Sequence, residues 1–517
     1  MRLRGVVDRR CGRARAGVAC GAVALLAALA ASGPSPAVAA VPADSAGIYS
    51  EELERANSAD PVAAGVAQRA AGIGIVRQTF SWARIETAPN VLDFTVYDEV
   101  MGAAALAGVA VLPVLMDPPS WRSTAPATGA LDDMYPPREP AAMAVLAGLL
   151  VQRYGPAGTF WAARPELPRS PVRSWQVWNE PNTPNFWAPA PDPAGYTELL
   201  RAVSAAIHAA DPAAEVVTAG LPASDHGIGL REFLDAMYDA GARGTFDTLA
   251  IHPYASDAAT VLGVLQVARD VADRRGDAQR PIWATEFGWA TGGPPVTISA
   301  TEDEQATLLR DAIVLMQRAR AALELRGFIV FRWRDVPLNP GQLDFWPFHA
   351  GLLRVDGTRK PSLQAFSDAV AVWRREPTLE QAAAAAATAE AAAAALTQGA
   401  SAPGFISRPP VPGVTARRLR IGRYVSRGRL FVRVTVPPGG RGQRVRISYR
   451  ALRGTRVLAG DVREVTTRKG VARVVFTLTR ASRTATRLRI TATQGTARAT
   501  RELRLKRRAA VSRPSAG

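Results

Sequence analysis

The sequence predicts an α/β protein built as a (β/α)8 TIM barrel, followed by a helical and proline-rich linker and a small all-β, sandwich-like C-terminal domain. Three observations predict it. Between about 46 and 375, short apolar runs alternate with amphipathic helical stretches, as in a parallel sheet covered on both faces. From about 416 onward, Val, Ile, Leu and Phe alternate with arginine or polar residues at period two, as in half-buried antiparallel strands. An alanine-rich run and a proline-rich run separate the two regions. The 517 residues are long for a single domain.

Residues 1–40 have the layout of a signal peptide. A basic start is followed by an apolar run from Val18 to Ala31 and then by small residues, with cleavage expected near Ala39 or Ala40. The apolar run is shorter than the ~20 residues that span a bilayer, and no other segment is long enough, so the mature chain is expected to have no membrane span. Both cysteines, Cys11 and Cys20, lie in this leader. The mature chain therefore has no thiol chemistry and no disulfides. Secretion, to the medium or the cell wall, is the expected localisation.

The barrel is assigned to 41–375. Its strands read as "AGIYS" (46–50, placed first by position alone), "GIGIVRQTF" (72–80), "VAVLPVL" (109–115) and "VRSWQVW" (172–178). "AEVVTAG" (214–220), "FDTLAIH" (246–252), "PIWATEF" (281–287) and "RGFIVFRW" (326–333) complete the set. Helices are expected near 93–107, 140–153, 194–210, 230–241, 257–275 and 302–325. Eight such units fit a barrel, typically ~250 residues and longer with insertions. An open doubly wound sheet is the alternative, but the glycine-rich phosphate turn it often carries is missing. Residues 376–415 read as a helical spacer of alanines, the best helix formers, and an extended linker at 401–413. Residues 416–508 form the basic β domain and 509–517 a disordered tail.

The net charge of +18 is an average over unlike parts. From 411 onward there are 28 Lys and Arg against three acidic residues, whereas 41–410 holds 29 against 41. The barrel is acidic and the tail strongly basic. The tail suits adhesion to an anionic cell-wall polymer. A solvated arginine-rich surface is the plainer alternative. With only Tyr424, Phe431, Tyr449 and Phe476 as aromatics, it lacks a stacking platform for single strands, and nucleic acid is not the expected partner.

Side chains at the C-terminal ends of barrel strands point into the active-site mouth. Glu180, in "WQVWNEPNTP", ends the fourth strand, and Glu286, in "PIWATEFGW", ends the seventh. Their separation of 106 residues is three βα units. Two carboxylates facing across a mouth can cleave a glycosidic bond, one giving its proton to the leaving oxygen while the other attacks the anomeric carbon or activates water. Arg77, ending the second strand, is placed to hold the attacking carboxylate ionised, and Asn179 could bond a sugar hydroxyl. Pro181 biases Glu180 toward an extended backbone.

"VWNEPN" with a downstream "WATEFGW" resembles the clan A retaining glycoside hydrolases, especially the family 39 and family 5 (cellulase-like) type, over residues 46–370. The resemblance implies that Glu180 is the acid/base, Asn179 its substrate-binding neighbour and Glu286 the nucleophile. It implies that Arg77 in "VRQTFSW" is the strand-two arginine and that His252 and Tyr254 in "IHPY" are the strand-six pair, the tyrosine touching the nucleophile. Trp333 in "FRWRD" would floor the glycone subsite. The substrate would be a carbohydrate, and no cofactor is required.

Plainer readings exist for each residue. An isolated Asn-Glu-Pro is usually a turn or helix start, but two strand-terminal glutamates in matching contexts outweigh that reading. Arg77 could be a buried ion-pair partner, His252 a core histidine, and Trp82, Trp121, Trp187, Trp289 and Trp346 either sugar platforms or packing. Asp117 is a candidate sugar contact; His208 and His226 read as surface residues. A non-catalytic carbohydrate- or wall-binding protein on a barrel scaffold is the alternative function. No H-E-x-x-H, P-loop or G-x-S-x-G occurs, and a metal site is not expected. The sequence leaves open the sugar (xylosides, glucans, arabinosides and exopolysaccharides among the options) and whether action is exo or endo.

Overall fold

The structure, a computed structural model, describes residues 41–126, 134–339 and 342–397, and the backbone of the strands between Arg420 and Arg504. The leader with its cleavage site, the stretch 401–413 and the tail 509–517 lie outside the described residues.

Eight parallel staves close into a barrel. They are β1 (Ala46–Tyr49), β2 (Ile75–Ser81), β3 (Ala110–Met116), β4 (Ser174–Val177), β6 (Leu249–His252), β7 (Ile282–Phe287) and β8 (Leu325–Val330), with β5 in two pieces, Glu215–Val217 and Leu221–Pro222. β1 pairs with both β2 and β8, which closes the seam. The first piece of β5 pairs with β4 and the second with β6. Parallel bridges from Val217 to Thr248 and from Asn179 to Gly220 carry the sheet across the break. The short first strand suggested at 46–50 is thus a full stave.

Side-chain alternation sorts the barrel interior into layers. Ile75, Leu112, Val217, Ala250, Trp283 and Ile329 form one buried apolar cluster. Two residues further along their strands, Arg77 and Thr285 point the same way, into a buried polar layer shared with Gln176. Glu286 should then face outward. Instead the β7–β8 pairing shifts register between Ala284 and Phe287, and this bulge-like irregularity turns Glu286 inward beside Thr285.

The outer helices begin where proline follows a capping residue. Asp60 accepts from Ala63 N ahead of Pro61–Ala70, and Asp192 from Ala194 N and Gly195 N ahead of Pro193–Ala210. Thr301 and Glu304 form a capping box at Glu302–Arg318. Pro61–Ala70 and Pro361–Trp373 are helices beyond those expected. The helix expected over 302–325 stops at Arg318, because the chain turns back through Glu324 at φ 50° to enter β8.

The alanine-rich run is a helix, Leu379–Thr397, but among the described residues it is docked rather than a free spacer. Ala385, Ala389 and Ala393, one turn apart, are buried. It packs against the helix Ala258–Arg274, where Gly263 lets Ala392 approach so closely that a Cβ on the glycine would lie 2.6 Å from it. Alanine here supplies both helix propensity and thinness. Among the described residues no helix is long and apolar enough to cross a membrane.

Between Arg420 and Arg504, two antiparallel sheets form. One orders Arg420–Ser426, Arg429–Thr435 and Val471–Thr477; the other orders Arg456–Thr466, Arg444–Arg453, Arg487–Gln494 and Ala497–Arg504. In the strand Arg456–Thr466, Gly460 and Asp461 interrupt the alternation.

Candidate active site

Arg77 organises the mouth of the barrel. It is almost fully buried, and its guanidinium has three partners: Nη1 pairs with Glu286 Oε1, Nη2 donates to Asn179 Oδ1 at 2.7 Å, and Nε donates to Gln176 Oε1 at 2.7 Å. Gln176 donates in turn to Thr218 O at 2.9 Å, fixing the orientation of the fork. The ion-pair and nucleophile-holding readings of Arg77 therefore coincide, since its ionic partner is Glu286. Tyr254 OH donates to the other oxygen of Glu286 at 2.9 Å. Burial, then the charges of Glu286 and Glu180, push the Tyr254 phenol well above its ordinary pKa, so it stays a neutral donor.

Glu180 has an unusual backbone. Its φ is +43°, and that of Trp178 is +72°. The extended conformation expected from Pro181 is not adopted. The reason lies in the turn that follows: Glu180 N–H donates to Gly220 O at 3.1 Å, while Glu180 O accepts from Thr183 N at 3.0 Å and Thr183 Oγ1 at 3.2 Å. A left-handed non-glycine residue costs about 1–3 kcal/mol and tends to occur at functional sites. Its Oε1 lies 2.8 Å from His252 Nδ1. Burial, helped by Arg77, lowers the His252 pKa well below its ordinary value, so the imidazole is neutral. A neutral ring and Glu180 share one proton: either Nδ1–H donates to a carboxylate, or a protonated Glu180 donates to Nδ1. Gly220 makes room for that ring, because a Cβ there would lie 1.8 Å from His252 Nε2.

One oxygen of Glu180, one of Glu286 and a ring nitrogen of His252 all lie within 4.8 Å of one another. Three such donors could in principle gather a metal ion, but the Arg77 charge already sits on Glu286 and opposes a second cation.

A cavity of about 550 Å3 opens at the C-terminal ends of the strands. Of the residues chosen from sequence, Arg77, Asn179, Glu286 and Asp117 line it. Glu180, His252 and Tyr254 are fully buried beside them. Trp333 is buried with its backbone N–H bonded to Tyr49 O, and the neighbouring Phe331 and Arg332, rather than Trp333, line the cavity. His208 is half-buried against Asp247 at 3.0 Å, and His226 is half-buried at the turn before the helix Leu230–Asp239.

Residues 166–322 match the family model for a glycosyl hydrolase catalytic core. That span holds β4 to β7, and with them both glutamates, His252 and Tyr254. Over that span the barrel is similar to a glycosyl hydrolase catalytic core. Among solved structures, the chain is similar to a glucosidase from Croceicoccus marinus at 14% identity, covering 90% of this chain and 96% of that one, with a TM-score of 0.47. It is similar to GH5_18 from Streptomyces cattleya in complex with GlcNAc at 17% identity, covering 70% and 93%, with a TM-score of 0.47. An alpha-L-arabinofuranosidase from Thermotoga maritima, an arabinose complex, is similar at 10% identity, covering 89% and 92%, with a TM-score of 0.42. No curated protein matches the chain.

The mouth of the barrel also holds residues that the sequence did not single out. Gln176 was visible as the one polar side chain within the apolar run "WQVW". Tyr49 and Glu51 line the cavity and are bonded to each other at 3.0 Å, but nothing local marks them.

Proposed function

We propose that this glycoside hydrolase is an exported enzyme that cleaves O-glycosidic bonds of an oligo- or polysaccharide with retention of configuration. The observation that carries the reading is the separation of the carboxylates. Retaining pairs stand about 5–5.5 Å apart, and inverting pairs ~6.5–9.5 Å apart to admit a water. Oxygens within 4.8 Å support the first class.

In the proposed reaction, Glu286, oriented by Arg77 and Tyr254, attacks the anomeric carbon. The bond to the leaving oxygen breaks, and Glu180 gives that oxygen its proton. The glycosyl–Glu286 ester is then opened by water, whose proton passes to Glu180, and the second product carries the original anomeric configuration. Glu180 is fully buried, so the step requires its side chain to turn toward the cavity. His252 supports the cycle as the neutral partner that can face either protonation state of Glu180.

The test is Glu180→Ala on aryl glycosides of graded leaving-group acidity. Phenyl glycosides should lose about 10²–10⁴ in rate and dinitrophenyl glycosides much less. Equal losses across the series, or none, would remove Glu180 from the role of acid. Export is supported by the layout of residues 1–40, and N-terminal sequencing of the secreted protein should start at Ala40 or Val41. The basic excess beyond 411 supports adhesion to an anionic wall polymer, which should weaken steeply with salt.

A further inference from the structure

We propose that Trp121 is a sugar-stacking platform outside the cavity, an outer subsite that suits the enzyme to chains of several sugars. The proposal rests on the carbohydrate-cleaving reading of the site. Ten of the eleven tryptophans are buried; Trp121 alone is exposed, at 40%. An isolated exposed apolar residue needs no explanation by itself, but this one is built into place. Glu86, itself buried, accepts from Trp121 Nε1 at 3.3 Å, Trp82 Nε1 at 2.7 Å, Arg122 Nη2 at 2.9 Å and Asn90 N at 2.9 Å. These bonds outweigh the effect of burial and hold the Glu86 carboxyl at about 2, an anion throughout the working range. Arg122 also donates to Asn90 Oδ1 at 2.9 Å and lies over the Trp82 ring. One buried carboxylate thus fixes two indoles, a guanidinium and a turn, and the outermost indole is the exposed one.

Its place in the chain keeps it near the cavity. Trp121 lies in the loop after β3, four residues past Asp117 in the cavity wall, hence within about 14 Å of it along the chain. Loops after barrel strands surround the mouth, and this one is tied to the loop after β2 by Ala83 N–H to Asp117 O at 2.8 Å. The apolar C–H face of a pyranose stacks on an indole as nucleobases do on aromatic side chains. An indole already immobilised loses little freedom when covered.

The experiment is affinity electrophoresis in gels containing soluble β-mannan, xylan, arabinan or mixed-linkage β-glucan, with Glu286→Gln as the parent so that the gel is not digested. At least one polysaccharide should retard the parent. Trp121→Ala should weaken that retention about tenfold, and Trp121→Phe, which keeps an aromatic face, should recover most of it. In otherwise wild-type enzyme, the loss in kcat/KM caused by Trp121→Ala should grow with oligosaccharide length. Retardation by none of the four, or equal retardation of parent and Trp121→Ala, would overturn the platform. If the wild type hydrolyses none of them while the Trp121-dependent retention persists, the glycosidase reading fails and the platform stands.

Discussion

Replacing Gly220 by alanine would test whether His252 positions the acid. The new methyl would lie 1.8 Å from His252 Nε2, 2.2 Å from Cδ2 and 2.6 Å from Cε1. Ordinary contacts begin near 3.4 Å, so the ring must move by roughly 1.6 Å or the β5 backbone must give way. Either shift stretches the 2.8 Å His252–Glu180 contact beyond hydrogen-bond range. Overpacking of this kind costs about 1–3 kcal/mol, which the barrel should survive with a modestly lower Tm. Catalysis should suffer more. A positioned acid contributes ~10²–10⁴, so kcat/KM on a phenyl glycoside should fall at least about tenfold, with a much smaller fall on a dinitrophenyl glycoside. Gly229→Ala is the control, since nothing lies within 4 Å of a methyl there. A folded Gly220→Ala enzyme with wild-type rates on both substrates would refute the positioning role of His252.

Three further predictions follow from the same geometry. Tyr254→Phe removes the 2.9 Å bond to Glu286; a hydrogen bond to a charged group is worth about 1.5–3 kcal/mol, so kcat/KM should drop roughly 10- to 150-fold, and a loss under threefold would contradict the arrangement. His252 is neutral in the fold because its pKa is pushed down, so the unfolded chain alone binds its proton just below about pH 6.5. Its contribution to stability is therefore present above that pH and fades below it, by up to about 1.4 kcal/mol per pH unit. Urea melts from pH 7 to 5 should show this slope and His252→Gln should lack it. Ala389→Leu enlarges a fully buried helix contact and should lower Tm through an overpacking cost of about 1–3 kcal/mol; an unchanged Tm would mean that the helix is a free spacer.

The barrel was legible because its strands are continuous apolar runs, and a strand buried on both faces needs nothing else. Even so, β1 is four residues long and only its place in the order marked it. The residues around Glu286 were legible as strand ends; the bulge that turns Glu286 inward was not, because register depends on the neighbouring strand. Glu180 shows a local rule overridden: Pro181 favours an extended predecessor, but the bonds to Gly220 and Thr183 hold φ at +43°. Trp333 shows the hazard of carrying a role on motif position, since its neighbours Phe331 and Arg332, not Trp333, line the cavity. The helix Leu379–Thr397 was legible as a helix but not as a docked one, because a run of alanines has no apolar stripe to name its buried face.

The most direct measurement is to inactivate the enzyme with 2-fluoro glycosyl fluorides, a panel covering the sugars the cavity could take, and to map the adduct by peptide mass. A single glycosyl increment on Glu286, relieved on incubation in buffer as water opens the ester, is the expected result. An adduct on Glu180, or steady hydrolysis of the matching aryl glycoside with no adduct on Glu286, would contradict the assignment of nucleophile and acid.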